Sequence, residues 1–122
     1  MEMNVTDGPD GATIVDLDGR FDIMGAQQVD SRFTNLAESA NALIVNVSKV
    51  SFIASLGVRT LMVSAKTLMR RGAYMAVCGA NESVEAVLRS TGFDELVGLH
   101  PDVDSAIKSY KRREAAFANR KA

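Results

Sequence analysis

Two rhythms of apolar and polar positions alternate along this chain, one with a period near two residues and one near 3.6. Residues 3–6 read as a short edge strand. The turn-forming run Asp7-Gly8-Pro9-Asp10-Gly11 separates them from a second strand over residues 13–18, with Ile14, Val15 and Leu17 as its apolar members. So dense a turn makes the two an antiparallel hairpin. Gly19-Arg20-Phe21-Asp22 then leads into a helix whose stripe is Ala26, Val29, Phe33, Leu36, Ala37 and Ala40. The nearly continuous apolar run 42–47 suits a central strand buried on both faces. Residues 50–53 carry the chain to the next helix.

That helix has the clearest pattern in the sequence. Val58, Leu61, Met62, Ala65, Leu68 and Met69 follow the i, i+3, i+4, i+7 rule, and Gly72 is placed to end it. Residues 73–78 form another buried strand. Asn81 is placed to cap a third helix carrying Val84, Val87 and Leu88, which Gly92 ends. A last short strand is expected over residues 96–99. Asp102 then caps a final helix with Val103, Ala106, Ile107 and Tyr110 inward. The order β-β-α-β-α-β-α-β-α predicts an α/β fold: a small mixed sheet of four to five strands packed by about four helices, with right-handed parallel crossovers.

Length and composition narrow the class. The 122 residues suffice for one domain, expected over 1–122 with a core near 3–110 and a helical tail near 111–122. A net charge of −1 gives no global field for nucleic acid or membrane. The charge asymmetry is local: the tail from Lys108 onward holds six basic residues and one acid, Glu114, and fits either a solvated helix end or a basic docking tail. No run approaches a membrane span and no leader pattern opens the chain, so a cytoplasmic protein is expected.

Candidate chemistry is sparse. The lone Cys78 lies in an apolar run and reads as a small buried hydrophobe. His100 has no companion ligand, so no metal site is expected. No glycine spacing fits a nucleotide fingerprint. Phe21, Phe33, Phe52 and Phe93 read as core, which leaves no aromatic face for nucleic acid. No cofactor and no enzymatic activity are expected; a small α/β enzyme is the alternative of another class.

The distinctive stretch is residues 46–59, where a buried strand opens through a short loop onto the strongest helix. Ser55 stands at the expected N-cap. It reads either as a simple cap or as a modifiable serine, because a helix start favours the negative charge of a phosphate. The element order, Gly19-Arg20-Phe21-Asp22, the triplet Asn46-Val47-Ser48 and the loop Ala54-Ser55-Leu56-Gly57 resemble the STAS fold of anti-sigma-factor antagonists. The likeness covers about residues 12–107.

That resemblance implies a regulatory protein whose partner is an anti-sigma factor and serine kinase of the GHKL ATPase type. Binding would release a sigma factor, phosphorylation of a loop serine would break the complex, and a serine phosphatase would reset it. It implicates Asp22, Asn46, Ala54, Ser55, Leu56, Gly57, Val58 and Arg59 in partner contact. Departures lie at the loop itself. Aligned on Gly57, the phosphorylated serine of the family is replaced by Leu56 and its two aspartates by Ala54 and Asn46, so Ser55 is the remaining candidate phosphoacceptor. An unphosphorylated antagonist, and a STAS subunit of a lipid or anion transporter, are the alternatives within the fold. Leu56 reads as a partner anchor or as a residue buried under the loop. Homodimerisation through a sheet edge or the last helix stays open.

Overall fold

The computed structural model describes residues 1–121, and the side chains of residues 1–118. Ala122 and the side chains of Arg120 and Lys121 in the basic tail lie outside the described residues. The elements are β1 (Glu2–Asp7), a 3-10 turn (Pro9–Gly11), β2 (Ala12–Phe21), α1 (Ile23–Ser39), β3 (Ala42–Ile53), α2 (Ser55–Arg70), β4 (Tyr74–Cys78), α3 (Glu82–Ser90), α4 (Phe93–Leu96), β5 (Gly98–His100) and α5 (Val103–Lys121). The strands form one mixed sheet in chain order, β1-β2-β3-β4-β5. β1 pairs antiparallel with β2, and every later pair is parallel.

Side-chain size sorts the two faces of this sheet. Leu43, Val45 and Val47 of β3 point with Val15 and Leu17 into the larger core, where Val29 and Phe33 of α1, Leu61 and Leu68 of α2, and Leu88 of α3 meet them. The opposite face is built from small residues, Ala12, Ala42, Ala76 and Cys78, around Ile44. That flat surface lets α5 lie close and bury Ala106 and Tyr110. The Tyr110 hydroxyl donates 2.9 Å to the Asp10 carbonyl, tying α5 to the hairpin turn in which Asp10 adopts a left-handed φ of 57°.

Burial pushes the Cys78 thiol up to about 11, with Asp102 and Asp16 adding to the rise. An unfolded thiol ionises near its ordinary value of 9.0. Unfolding therefore releases a proton between the two, and the contribution of Cys78 to stability falls as pH rises from 9 toward 11. The urea midpoint is expected to drop between pH 8 and pH 10.5, and to drop less in Cys78→Ala. Equal drops would remove the thiol as the cause.

β3 is longer than the period-two pattern allows, and the reason is two register shifts. Asp16 pairs with Asn46 but Asp18 with Lys49, and Gly19 pairs with Val50 but Arg20 with Phe52. Each shift inserts one extra β3 residue, so the buried positions become Val47, Val50 and Ile53. Phe52, expected in the core, is next to buried Ile53 and so faces the other way, 41% exposed, with the Arg20 guanidinium 4.5 Å above its ring.

Three other expectations change. Met69, assigned to the buried stripe of α2, is exposed, while Thr60 and Ser64 are buried. The helix is rotated toward α1, whose Asp30 accepts a hydrogen bond from the Thr60 hydroxyl at 3.2 Å. Leu96, expected to begin the last strand, ends the added one-turn helix α4. Gly92, at φ 78°, reverses the chain there so that Phe93 is fully buried. The last strand is accordingly Gly98–His100.

Candidate functional site

β2 and β3 outrun their neighbours. β4 pairs only with residues Ala42 to Asn46 of β3, whereas the β2–β3 ladder continues to Phe21 opposite Ile53. Both strands then turn directly into helices, so the N-termini of α1 and α2 emerge side by side at the end of a two-stranded ribbon. The Ala54 amide donates to the Phe21 carbonyl at 2.9 Å, joining the two turns.

Glycine at the third helical position of each helix permits this closeness. A Cβ at Gly57 would lie 2.6 Å from the Phe21 carbonyl and 2.9 Å from its ring. A Cβ at Gly25 would collide with the Arg20 carbonyl. In both places the obstacle is backbone, which cannot swing aside as a flexible side chain does.

The two helix starts are capped differently. Asp22 is the N-cap of α1, its carboxylate accepting from the Gly25 amide at 2.9 Å with Arg20 3.5 Å away. The Gly25 amide, then Arg20, holds the Asp22 carboxyl below the usual carboxylate range despite some loss of hydration. α2 has no such acceptor. Ser55 does not cap it: Ala54 occupies the N-cap, and Ser55 is the first helical residue, exposed to solvent. The chain bends one residue earlier than the Ser/Thr/Asp/Asn preference predicts, because Ala54 is the residue fastened to Phe21.

The structure separates the residues singled out by sequence. Asp22, Ala54, Ser55, Leu56 and Gly57 converge at the junction of the two helices. Leu56 is 37% exposed beside exposed Ser55 and Arg59. Gly57 and Val58 are buried and act as supports. Asn46 lies elsewhere. Its amide donates to Asp16 at 2.8 Å, and its neighbours are Ser48, Gly79 and Asp102 at the start of α5.

Sequence patterning passes over Ile23 and Met24, which are 56% and 68% exposed on the first turn of α1. Two large apolar residues directly after a capping aspartate were the available signal, since the first turn projects beyond the core-facing stripe. Between the helices runs an open groove of about 390 Å³ lined by Ala26, Asp30, Leu56, Thr60 and Val63 among others. Thr60 bridges its floor, its hydroxyl lying 3.2 Å from an Asp30 carboxylate oxygen and 3.1 Å from the Leu56 carbonyl.

Such a surface has the makings of a protein contact: exposed apolar side chains on two neighbouring helix starts, with the exposed Ser55 hydroxyl on one of them. Among the described residues no three His, Cys, Asp or Glu side chains are grouped to hold a metal ion, and no helix is long and apolar enough to cross a membrane.

Comparison with known proteins agrees with this architecture. Among solved structures, an anti-sigma factor antagonist from Mycobacterium paratuberculosis superposes with a TM-score of 0.80 at 25% identity, covering 88% of this chain and 92% of that one. The anti-sigma factor antagonist SpoIIAA of Bacillus, in its unphosphorylated form, gives 0.77 at 15% identity, covering 90% and 96%. The STAS domain of a SulP transporter from Vibrio cholerae gives 0.70 at 24% identity, covering 89% and 88%. The last two likenesses speak to the fold. The model of the STAS domain family matches residues 3–106, most of the chain, and this protein therefore belongs to the STAS-domain family.

Proposed function

We propose that this protein is a partner-binding regulator of the anti-sigma-factor-antagonist type, acting by docking and not by catalysis. The docking surface is the junction of the α1 and α2 starts, with Leu56, Ile23 and Met24 as apolar contacts and Asp22, Ala54, Ser55 and Arg59 around them. The partner is an anti-sigma factor with serine-kinase activity of the GHKL ATPase type, met in the cytoplasm. The observation that carries the reading is the exposure of Leu56 on a helix start held rigid by Gly57 against Phe21. An exposed apolar side chain on a preorganised backbone loses little entropy on entering a partner pocket.

Ser55 is the proposed phosphoacceptor. It is exposed at the head of α2, where the helix dipole favours added negative charge. A phosphate beside Leu56 would place close to two charges in the middle of an apolar contact and so oppose docking. A serine phosphatase would restore it. The likeness to a transporter STAS domain supports a second reading, in which the same surface meets a membrane permease.

Affinity purification of the intact chain from its native cell extract, with mass spectrometry of partners and of the bait, decides among these. An ATP-binding kinase with phosphate on Ser55 is the expected result. The same kinase with an unmodified bait would remove the phospho-switch and keep the antagonist. A permease without a kinase would overturn the sigma-regulator reading.

A further inference from the structure

The outward face of α2 has a composition that its core-packing role does not require. Ser55–Arg70 contains no acidic residue, yet Arg59, Lys66 and Arg70 all stand exposed. Among the described residues none of the three makes an ion pair; the ion pairs present use Arg20, Arg89 and Arg113. At 3.6 residues per turn the three cations form one ridge along the helix. Leu56 and Val63, seven residues apart, line one side of that ridge, and Met62 and Met69, also seven apart, line the other. Leu56, Val63 and Met69 are exposed and Met62 is half-buried. The net charge of the whole chain is −1, so this unpaired positive ridge is a local feature.

We infer that this face, continuous with the proposed docking junction, binds an amphipathic helix of a partner protein that presents carboxylates along its centre and apolar side chains to either flank. The inference rests on the α2 start being the docking end, and adds the direction in which the partner extends and its charge. Three unpaired cations on one rigid helix select an acidic counterpart and repel a basic one. Apolar residues repeating every seven positions match the spacing at which a second helix offers side chains. A bilayer is a poorer counterpart. An interfacial helix buries a continuous apolar face with its cations at the edges, whereas here the cations run down the middle and the continuous apolar face of α2 is already in the core.

Two synthetic 18-residue helical peptides test this, identical in their leucines and differing only in carrying glutamate or lysine between them. Each is titrated into the isotope-labelled full chain and followed by amide chemical shifts. The glutamate peptide is expected to shift the amides of α2 from Leu56 to Arg70, binding at least about tenfold more tightly than the lysine peptide, as three exposed charge pairs would give. The triple variant Arg59→Glu/Lys66→Glu/Arg70→Glu is expected to reverse that preference; a glutamine triple variant, expected to abolish it, substitutes if the glutamate form does not fold. Equal affinity for the two peptides, shifts confined to other elements, or α2 shifts produced by phosphatidylglycerol vesicles and not by the glutamate peptide would each overturn the inference. In the affinity purification, a partner lost with Leu56→Asp but retained by the triple variant overturns this inference alone. A partner retained by both overturns the docking reading as well.

Discussion

Replacing Phe21 by alanine is expected to destabilise the protein by about 3–5 kcal/mol, among the largest effects available to a single substitution here. The ring is fully buried and stacks on Phe33 with centroids 6.4 Å apart. It also lies where a side chain at Gly57 would stand, and its carbonyl receives the Ala54 amide. Removing it leaves a cavity beneath the start of α2 that backbone at Gly57 cannot fill. In thermal unfolding followed by circular dichroism this corresponds to a fall of roughly 10–20 °C in midpoint for a chain of this size. Phe33→Ala is expected to cost a similar amount, but its cavity lies on the α1 side of the core. Well below both midpoints, Phe21→Ala should weaken docking while Phe33→Ala leaves it near normal. A loss under about 1 kcal/mol for Phe21→Ala would mean that the ribbon end and the core are not coupled through this ring.

The expected consequence for function follows from where β2 ends. Phe21 anchors one helix start through Gly57 and hands the chain to the other through Asp22. The proposed docking junction is therefore continuous with the core, unlike a site carried on an independent loop. A surface loop tolerates loss of a buried neighbour, whereas two helix starts fixed to one strand end move together when that end loosens.

Much of this arrangement was legible in the residues. The helical stripes predict α1 and α2 because their buried faces repeat over about three turns, and α3 is marked by Val84 and Leu88 one turn apart behind a capping Asn81. The side chains of Asn81 and Asp102 accept from Val84 and Ser105 amides, both at 2.8 Å, at the helix starts their residue types predicted. What patterning misplaced has a common origin in tertiary geometry. Phe52 looks buried because aromatic residues in strands usually are, but it alternates with buried Ile53 in the part of β3 that β4 does not reach, and there it meets Arg20. Met69 fits a generic stripe, but α2 packs laterally on α1 and so buries the smaller Thr60 and Ser64 in its place. Ser55 has the better capping chemistry and still loses the N-cap, because the Ala54 amide is held by a strand end over thirty residues earlier in the chain. Family likeness groups Asn46 with the loop, and sequence alone does not show that it lies on the α5 side of the sheet. Local preference decided elements; long-range hydrogen bonds decided which residue of an element faced where.

Leu56→Asp is expected to weaken partner binding by at least about 30-fold, the effect of losing one hot-spot side chain worth about 2 kcal/mol. The substitution is chosen because its structural and functional consequences have opposite signs. Leu56 is the second residue of α2 and partly exposed, so the fold surrenders little apolar burial there. An aspartate in a first helical turn interacts favourably with the macrodipole, and Ala54 offers no side-chain cap with which it would compete. The thermal midpoint should therefore hold or rise slightly. In a partner pocket the same carboxylate must be desolvated without a designated cation, and binding suffers. Leu56→Met, which keeps volume and apolarity, should bind within a few-fold of the parent chain. Binding by calorimetry and stability by thermal unfolding, measured on the same two variants, separate the contributions. Weakened binding with an unchanged midpoint supports Leu56 as the anchor. Undiminished binding by Leu56→Asp would move the docking surface away from the start of α2, and the exposed pair Ile23 and Met24 on α1 would be the next residues to replace.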